Sequence, residues 1–378
     1  RPAVFIDEPG RAVHWTYADL KAEVDIVARG LISVGVSRGE HVAVMAQNCA
    51  EWVLLEYALA KIGAVLVTVN PALLKDEIGY LLDQGKVGTL IFAPQFRSND
   101  ISASLSALMP DLSRETGGAR EAETLPNLKR VIAIGAEFPG FAMPFDALRE
   151  KAERTSEQAL VDRQAEVQSG DVLMIQYTSG TTGKPKGAML THRSTVNNAR
   201  LSADRAGFKE DDVLLSAMPL FHTAGCVCNV MTMLAAGGLL ITMDSFDPLR
   251  MLTLWDTHKP TVLNAVPTMM ARVIELPEVA DHNIRTLRTV FTGGTTIPPS
   301  LMRIMQEKTG GEPMIIMGMT ETSPLITQTN PGDGCETRIT TAGTPLPHTE
   351  IRIVDPETGE TCGWDQSGEL CIRGYLTM

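Results

Sequence analysis

An α/β fold with two related, doubly wound, mainly parallel sheets and a small β-rich unit is the class this sequence predicts. Three observations carry that reading. Short apolar runs alternate with helix-length segments from His41 onward. One order of strand, helix, glycine stop and strand occurs at 41–69 and again at 212–243. Beyond residue 340, short strands bounded by Gly and Pro replace the longer α/β units.

The elements follow in order. HVAVMA, from His41, is a short buried strand, and Ala50 to Ile62 has helical spacing, with Trp52, Leu55, Leu59 and Ile62 on one face. Gly63 stops that helix, and AVLVTV forms the next strand before Asn70-Pro71. DVLLSAM is a strand, Gly225 to Ala236 a helix, Gly237-Gly238 its stop and LLITM another strand. Leu249 to His258 is a helix, TVLNAV a strand, and a further helix follows Pro267. TVFTGG ends a strand on glycines, Pro298-Pro299 opens a helix, and PMIIMG is again a strand. Strands alternating with helices of this length predict parallel sheets covered on both faces. EIRIVD and GELCIRG read as strands of the β-rich unit, whereas SRETGGAREAET (Ser113 to Thr124) reads as a polar surface loop without chemistry.

Composition bounds the function. The 378 residues suffice for two or three packed units, and 44% hydrophobic with 21% charged residues describes an ordinary globular chain. A net charge of -12 argues against general nucleic-acid binding, which needs a basic surface. The six cysteines (Cys49, Cys226, Cys228, Cys335, Cys362 and Cys371) form no CxxC pair and fit neither a zinc site nor a disulfide framework. They read as reduced core residues of a cytoplasmic protein. The apolar stretch Gly225 to Met243 is broken by Asn229 and Gly237-Gly238, so a buried helix and strand explain it better than a membrane span. The start, Arg1-Pro2-Ala3-Val4, has no initiator Met or signal-like segment, and the sequence is expected to begin inside a longer protein.

Residues 177–187, YTSGTTGKPKG, carry most of the chemistry. Thr178, Ser179, Thr181 and Thr182 supply hydroxyls, Gly180, Gly183 and Gly187 supply bare backbone, and Lys184 and Lys186 supply positive charge. Such a loop, following the apolar strand VLMIQ, can aim N–H and O–H donors at a polyphosphate at the carboxyl end of a strand. A Walker motif needs four residues between its first glycine and Gly-Lys, then Ser or Thr. Here only Thr181 and Thr182 separate Gly180 from Gly183-Lys184, and Pro185 follows, so that motif is excluded. A generic flexible turn would not combine this density of hydroxyls and lysines with a preceding buried strand.

YTSGTTGKPKG followed by Thr191-His192 resembles the phosphate-binding signature of the acyl-CoA synthetase and luciferase superfamily of adenylate-forming enzymes. Further family-like motifs occur in the family's order between about Phe5 and Gly374. In PLFHTAG, His222 matches the histidine near the acyl pocket and the reacting carboxylate. In FTGGTTIPP, the resemblance implies that Gly293, Gly294 and Thr295 line the adenine and acyl pockets, with bare backbone admitting a flat base or a chain. In MGMTETSP, Met317, Gly318, Met319 and Thr320 join the implied ATP site, Gly318 borders the acyl group, and Glu321 matches the magnesium-binding glutamate. Met317 departs from the pattern, which places an adenine-stacking aromatic there. GELCIRG is expected to be structural.

The resemblance implies an ATP-dependent acid–thiol ligase. A carboxylic acid, expected to be a fatty acid of short to medium chain, would become an acyl-adenylate and pass to CoA, with Mg2+ accompanying ATP. The catalytic set implied is Thr178, Lys184, His222, Thr320 and Glu321, without a protein nucleophile. Residues 1–340 would form two α/β subdomains of the large ATP- and acyl-binding domain and 341–378 the β-rich subdomain. The ribose-binding aspartate, the hinge and the small lid domain with its catalytic lysine are expected beyond Met378. An aryl-CoA ligase and a peptide-synthetase adenylation domain are the enzymatic alternatives, and a nucleotide-binding pseudoenzyme is the alternative of another class. Neither nucleic acid nor a membrane span is expected, and oligomeric state is left open.

Overall fold

The computed structural model describes residues 1–110, 124–178 and 184–378. The polar loop expected at 113–124 and the middle of the glycine-rich loop therefore fall almost wholly outside the described residues. Packing divides the chain into two compact units. The first holds Arg1–His192, Pro219–Cys226 and Thr242–Ser245; the second holds Arg193–Met218, Val227–Ile241 and Phe246–Met378.

In chain order the first unit begins with a hairpin, β1 (Pro2–Glu8) and β2 (Arg11–Thr16), and the helix α1 (Tyr17–Ser33). Thr16 and Asp19 close a reciprocal cap at the start of α1. Then come β3 (His41–Met45), α2 (Ala50–Ile62), β4 (Val65–Thr68), α3 (Lys75–Gln84) and β5 (Thr89–Phe92). The minor hairpin β6 (Gln95–Phe96) and β7 (Asn99–Asp100) precedes α4 (Ile101–Leu108), β8 (Arg130–Ala133), β9 (Met143–Pro144), α5 (Ala147–Ala152) and α6 (Glu157–Ala165). β10 (Val172–Thr178) and β11 (Lys186–Thr191) complete a seven-stranded sheet in the order β11-β10-β4-β3-β5-β8-β9. All pairings in it are parallel except that of β10 with β11. Gly63 adopts the left-handed conformation (φ 67°) that ends α2, as its position after the apolar face predicts. Val67, Leu90, Phe92 and Ile78 are among the apolar side chains packed on the sheet's faces.

In the second unit α7 (His192–Ala206, from Arg193) precedes β12 (Val213–Ser216). The predicted helix 225–236 is divided into α8 (Thr223–Gly225), a π-helical segment (Cys226–Met231) and α9 (Thr232–Ala236), ahead of β13 (Leu239–Met243). Then follow α10 (Pro248–His258), β14 (Val262–Asn264), α11 (Pro267–Ile274), β15 (Thr289–Gly293), α12 (Pro299–Thr309) and β16 (Glu312–Gly318). β17 (Leu325–Gln328), α13 (Cys335–Thr340) and β18 (Thr344–Pro345) come next. Strands β12, β14, β15 and β16 are parallel neighbours, and β17 and β18 extend that sheet antiparallel. The last hairpin, β19 (Thr349–Val354) with β20 (Glu369–Gly374), contains the two strands expected after residue 340.

A polar clasp fixes α7 on the antiparallel edge. The fully buried Asn198 accepts a hydrogen bond from the Leu325 N–H (3.0 Å) and donates one to the Leu325 carbonyl (2.7 Å). One amide side chain thereby satisfies both main-chain groups of a buried strand residue. One expectation needs correction. Cys49, Cys226 and Cys228 are buried, but Cys335, Cys362 and Cys371 are only partly buried, because they lie on α13, in the loop after β19 and on the thinly covered β20. All six are free thiols. No described helix is long and apolar enough to cross a membrane.

Candidate active site

The glycine-rich motif lies where the first unit's sheet changes direction. β10 runs parallel to β4, and Thr178 pairs with Lys186 across the antiparallel hairpin to β11. The sequence identified the strand end but not the returning strand KGAMLT. Two tyrosines, Tyr177 of β10 itself and Tyr80 of α3, hold the base of the turn. The Tyr177 hydroxyl donates to Gln84 Oε1 on α3, and burial raises its pKa to about 12, so it remains a neutral donor at physiological pH. The Tyr80 hydroxyl reaches the Pro185 carbonyl at 3.4 Å, and the exposed Lys184 ammonium lies 5.3 Å from the Tyr80 ring centroid. Thr178 is half-buried, whereas Ser179, Gly180, Thr181, Thr182 and Gly183 lie outside the described residues.

His222, also in the first unit, is the N-cap of α8, and its Nδ1 accepts a hydrogen bond from the Ala224 N–H at 3.1 Å. Its proton in the neutral form is therefore on Nε2, ready to donate to an anion. Although the residue is solvent-accessible, partial loss of hydration lowers the basicity of its ring. The preceding turn is held by Asn48, which is buried after β3. Asn48 Oδ1 accepts from the Leu220 N–H (2.8 Å), and Nδ2 donates to the Met243 carbonyl (3.0 Å). A Cβ at Gly225 would lie 2.2 Å from the Pro219 carbonyl oxygen, so the tight fold-back of PLFHTAG requires glycine.

In the second unit the carboxyl ends of β12 and β14 form a buried polar rung with the π-helical segment. Ser216 Oγ donates to the Asn264 carbonyl (2.7 Å), Asn229 Nδ2 donates to Ser216 Oγ (2.9 Å), and Asn264 Nδ2 donates to Asn229 Oδ1 (2.5 Å). Asn229 belongs to the π-helical segment, a geometry found often at functional sites. The sequence signal was present, since Asn229 interrupts an otherwise apolar run, but its partners are distant in sequence.

The glycines next to that rung act for two different reasons. A Cβ at Gly293 would lie 2.2 Å from the Ile316 carbonyl oxygen, so glycine there permits close strand packing. Strand packing is thus one reason for glycine at 293. Gly294 has a left-handed backbone (φ 82°), and a Cβ there would meet nothing within 4 Å. Its surroundings are open, as those of the exposed Thr295 are.

The remaining motif occupies the second unit's own change of direction. β16 is parallel to β15 and turns back antiparallel into β17, with Gly318 opposite Leu325. Glycine is required at 318 because a Cβ would lie 2.1 Å from the Pro324 carbonyl oxygen. Thr320 to Thr322 form a 3-10 turn in which the Thr322 hydroxyl shares its one proton between the Met319 and Pro324 carbonyls (2.8 and 2.7 Å). Ser323 is fully buried with φ 70°, and its hydroxyl donates to the Leu376 carbonyl at 2.8 Å. That contact holds a left-handed non-glycine residue in place. The turn leaves Met317, Thr320 and Glu321 half-buried and Gly318 and Met319 exposed. The Glu321 carboxylate has no hydrogen-bonding or ionic partner among the described residues.

Among the described residues no three Asp, Glu, His or Cys side chains gather to hold a metal. Glu321 alone could not cage magnesium, but it could supply one oxygen to an ion otherwise held by phosphates and water.

The chain is similar to several known proteins. The chain is 36% identical to YngI of Bacillus subtilis, which bears an acyl-CoA synthetase name, over 98% of this chain and 68% of that protein. It is 34% identical to the acyl-CoA ligase sidI of Aspergillus fumigatus (97% of this chain, 61% of the relative). It is also 34% identical to the mitochondrial medium-chain acyl-CoA ligase ACSF2 of Rattus norvegicus (97% and 60%). The chain thus spans about three fifths to two thirds of the length of these relatives. Among solved structures, the N-terminal domain of FACL13 from Mycobacterium tuberculosis matches with a TM-score of 0.81 at 26% identity, over all of this chain and 85% of that one. ATP-bound MatB from Rhodopseudomonas palustris matches with a TM-score of 0.77 at 25% identity, over all of this chain and 68% of that one. The description of the matching family is AMP-binding enzyme, its match runs over residues 1–378, and the chain belongs to that family.

Proposed function

We propose that this protein activates a carboxylic acid with ATP as an acyl-adenylate and transfers the acyl group to CoA. The observation that carries the proposal is the Glu321 turn. An unpartnered carboxylate and the Thr320 hydroxyl stand at the end of a parallel strand, in a motif matching that of adenylate-forming enzymes. In the first half-reaction the acid's carboxylate oxygen attacks the α-phosphorus, and the bond to pyrophosphate breaks. In the second, a thiolate of CoA attacks the acyl carbonyl, and AMP leaves.

Neither step needs a nucleophile from the chain. Thr178, Lys184 and the loop between them are assigned to the β- and γ-phosphates, and Thr320 to the α-phosphate. Glu321 takes the magnesium of the nucleotide. Gly293, Gly294, Thr295, Met317, Gly318 and Met319 are assigned to the base and the start of the acyl group. His222, with Nε2–H free to donate, is assigned to the reacting carboxylate. The names of the curated relatives support a fatty acid, and the free cysteines support a reducing compartment such as the cytoplasm.

The test is ATP–pyrophosphate exchange with a panel of fatty and aryl acids, alongside calorimetric titration with magnesium-ATP. Exchange dependent on a fatty acid is expected. Failure to bind magnesium-ATP, together with no exchange for any acid, would sink the proposal.

A further inference from the structure

A second crevice lies wholly within the first unit, and none of the assigned motif residues lines it. Its position follows from the sheet order. From β3 the chain crosses to β4 on one side, whereas from β5 it proceeds to β8 on the other. The carboxyl ends of β3 and β5 therefore form a topological switch point, where ligands of open α/β sheets bind. A cavity of about 740 Å3 occupies that place, lined by the segments following β3, β5 and β8. Its size is that of a small-molecule site.

Its chemistry is the reverse of a phosphate site. The N-termini of α2 and α4 frame the crevice, and together they would present roughly one positive charge to an anion. Carboxylates of the chain already occupy both ends. Glu8 Oε1 accepts from the Ala50 N–H at 2.8 Å, and Asp100 Oδ1 accepts from the Ala103 N–H at 2.8 Å. Glu51, Glu137 and Asp146 add three further carboxylates to the lining, against the single guanidinium of Arg11. Arg11 donates to Glu51 Oε1 at 2.8 Å, leaving Glu51 Oε2 without a donor among the described residues, although the residue is only 8% exposed. Gln47 Oε1, also from a lining residue, is a second buried acceptor without a donor. Burial foremost, with Glu51 and Asp244 adding repulsion, raises the pKa of Glu8, as expected for an excess of negative charge.

We infer that this crevice binds a small aliphatic amine, with a short diamine the best match. Such a ligand supplies the N–H donors that the floor acceptors lack and the positive charge that the lining calls for. A bare metal ion is disfavoured, because no three ligating side chains converge among the described residues.

Calorimetric titration of the protein with 1,4-diaminobutane tests the inference, with 1,4-butanediol and inorganic phosphate as comparison ligands. Saturable binding of the diamine, but not of the diol, is expected. Glu51→Gln should weaken it about 10- to 100-fold, as the loss of a charge-assisted buried hydrogen bond does. Glu51 is buried and ion-paired, and its replacement can disturb folding, so the exposed pair Glu137→Gln/Asp146→Asn provides a second arm. That double variant should bind several-fold more weakly with an unchanged unfolding midpoint. Equal binding of the diol, tighter binding of phosphate, or no saturation by the diamine would each overturn the inference.

Discussion

Two turns, one in each unit, solve one topological problem with different anchors. In both, a strand with a parallel neighbour (β10 beside β4, β16 beside β15) returns at once as an antiparallel partner instead of crossing over through a helix. A helix after either strand would have followed directly from the strand end. A hairpin leaves that end uncovered, and the motif residues stand there. The first turn is held from outside by tyrosine hydroxyl contacts. The second is held from within, by Thr322, by the buried Ser323 and by a Gly318 that cannot accept a side chain. The comparison teaches that a strand end can be anchored by hydroxyl contacts with a neighbouring helix or by hydroxyls and a glycine of the turn itself.

The largest expected effect separates chemistry from stability. Glu321→Gln should lower ATP–pyrophosphate exchange about 100-fold, while thermal unfolding moves little, since the carboxylate has no partner to lose among the described residues. A large fall in unfolding temperature would make Glu321 a structural residue and break the comparison. Next come the glycines at the base of each turn. Gly318→Ala meets backbone at 2.1 Å, whereas Gly187→Ala meets a methyl of the Ile175 side chain at 2.8 Å. Denaturant titration should show a loss of about 3 kcal/mol for the first and about 1 kcal/mol for the second. Equal losses would mean that the second turn is no more rigid than the first.

Acid should loosen the first unit in particular. Partial loss of hydration holds His192 and the more accessible His222 below the ordinary histidine value of 6.5, with Asp171 partly opposing the shift at His192. The unfolded chain thus binds these protons first. Their contribution to stability is full above about pH 6.5 and is lost as pH falls through the lowered folded-state values. Unfolding midpoints measured from pH 8 to pH 5 should fall, and replacing both histidines with glutamine should flatten the decline. The smallest effect is expected for Tyr177→Phe, which should cost about 1 kcal/mol in denaturant titration. Its neutral phenol anchors the first turn through one principal hydrogen bond to Gln84.

Legibility in the sequence followed the range of the interactions involved. Helices such as α2 and α10 were readable because apolar spacing, glycine stops and N-terminal proline act within a few residues. The motif residues were readable because hydroxyls, lysines and glycines cluster in short segments. The return strand after Lys186 was not, because KGAMLT has little alternation that marks it as antiparallel. Nor was the reason for Gly293, since the carbonyl that excludes a side chain there belongs to Ile316 on the neighbouring strand. The crevice at β3 and β5 escaped for a similar reason. Glu51, Asp100 and Glu137 are far apart in sequence and sheet order brings the segments that carry them to one edge, while Glu8 joins them from β1.

The Asn198 clasp gives α7 an effect on timing. The Leu325 amide hydrogen is enclosed by a helix side chain rather than by a neighbouring strand. Deuterium can replace it only when α7 lifts from the edge, so its exchange rate becomes a clock for that lifting. The amide sits directly beyond the Glu321 turn, and the same clock would report how long that turn keeps its shape.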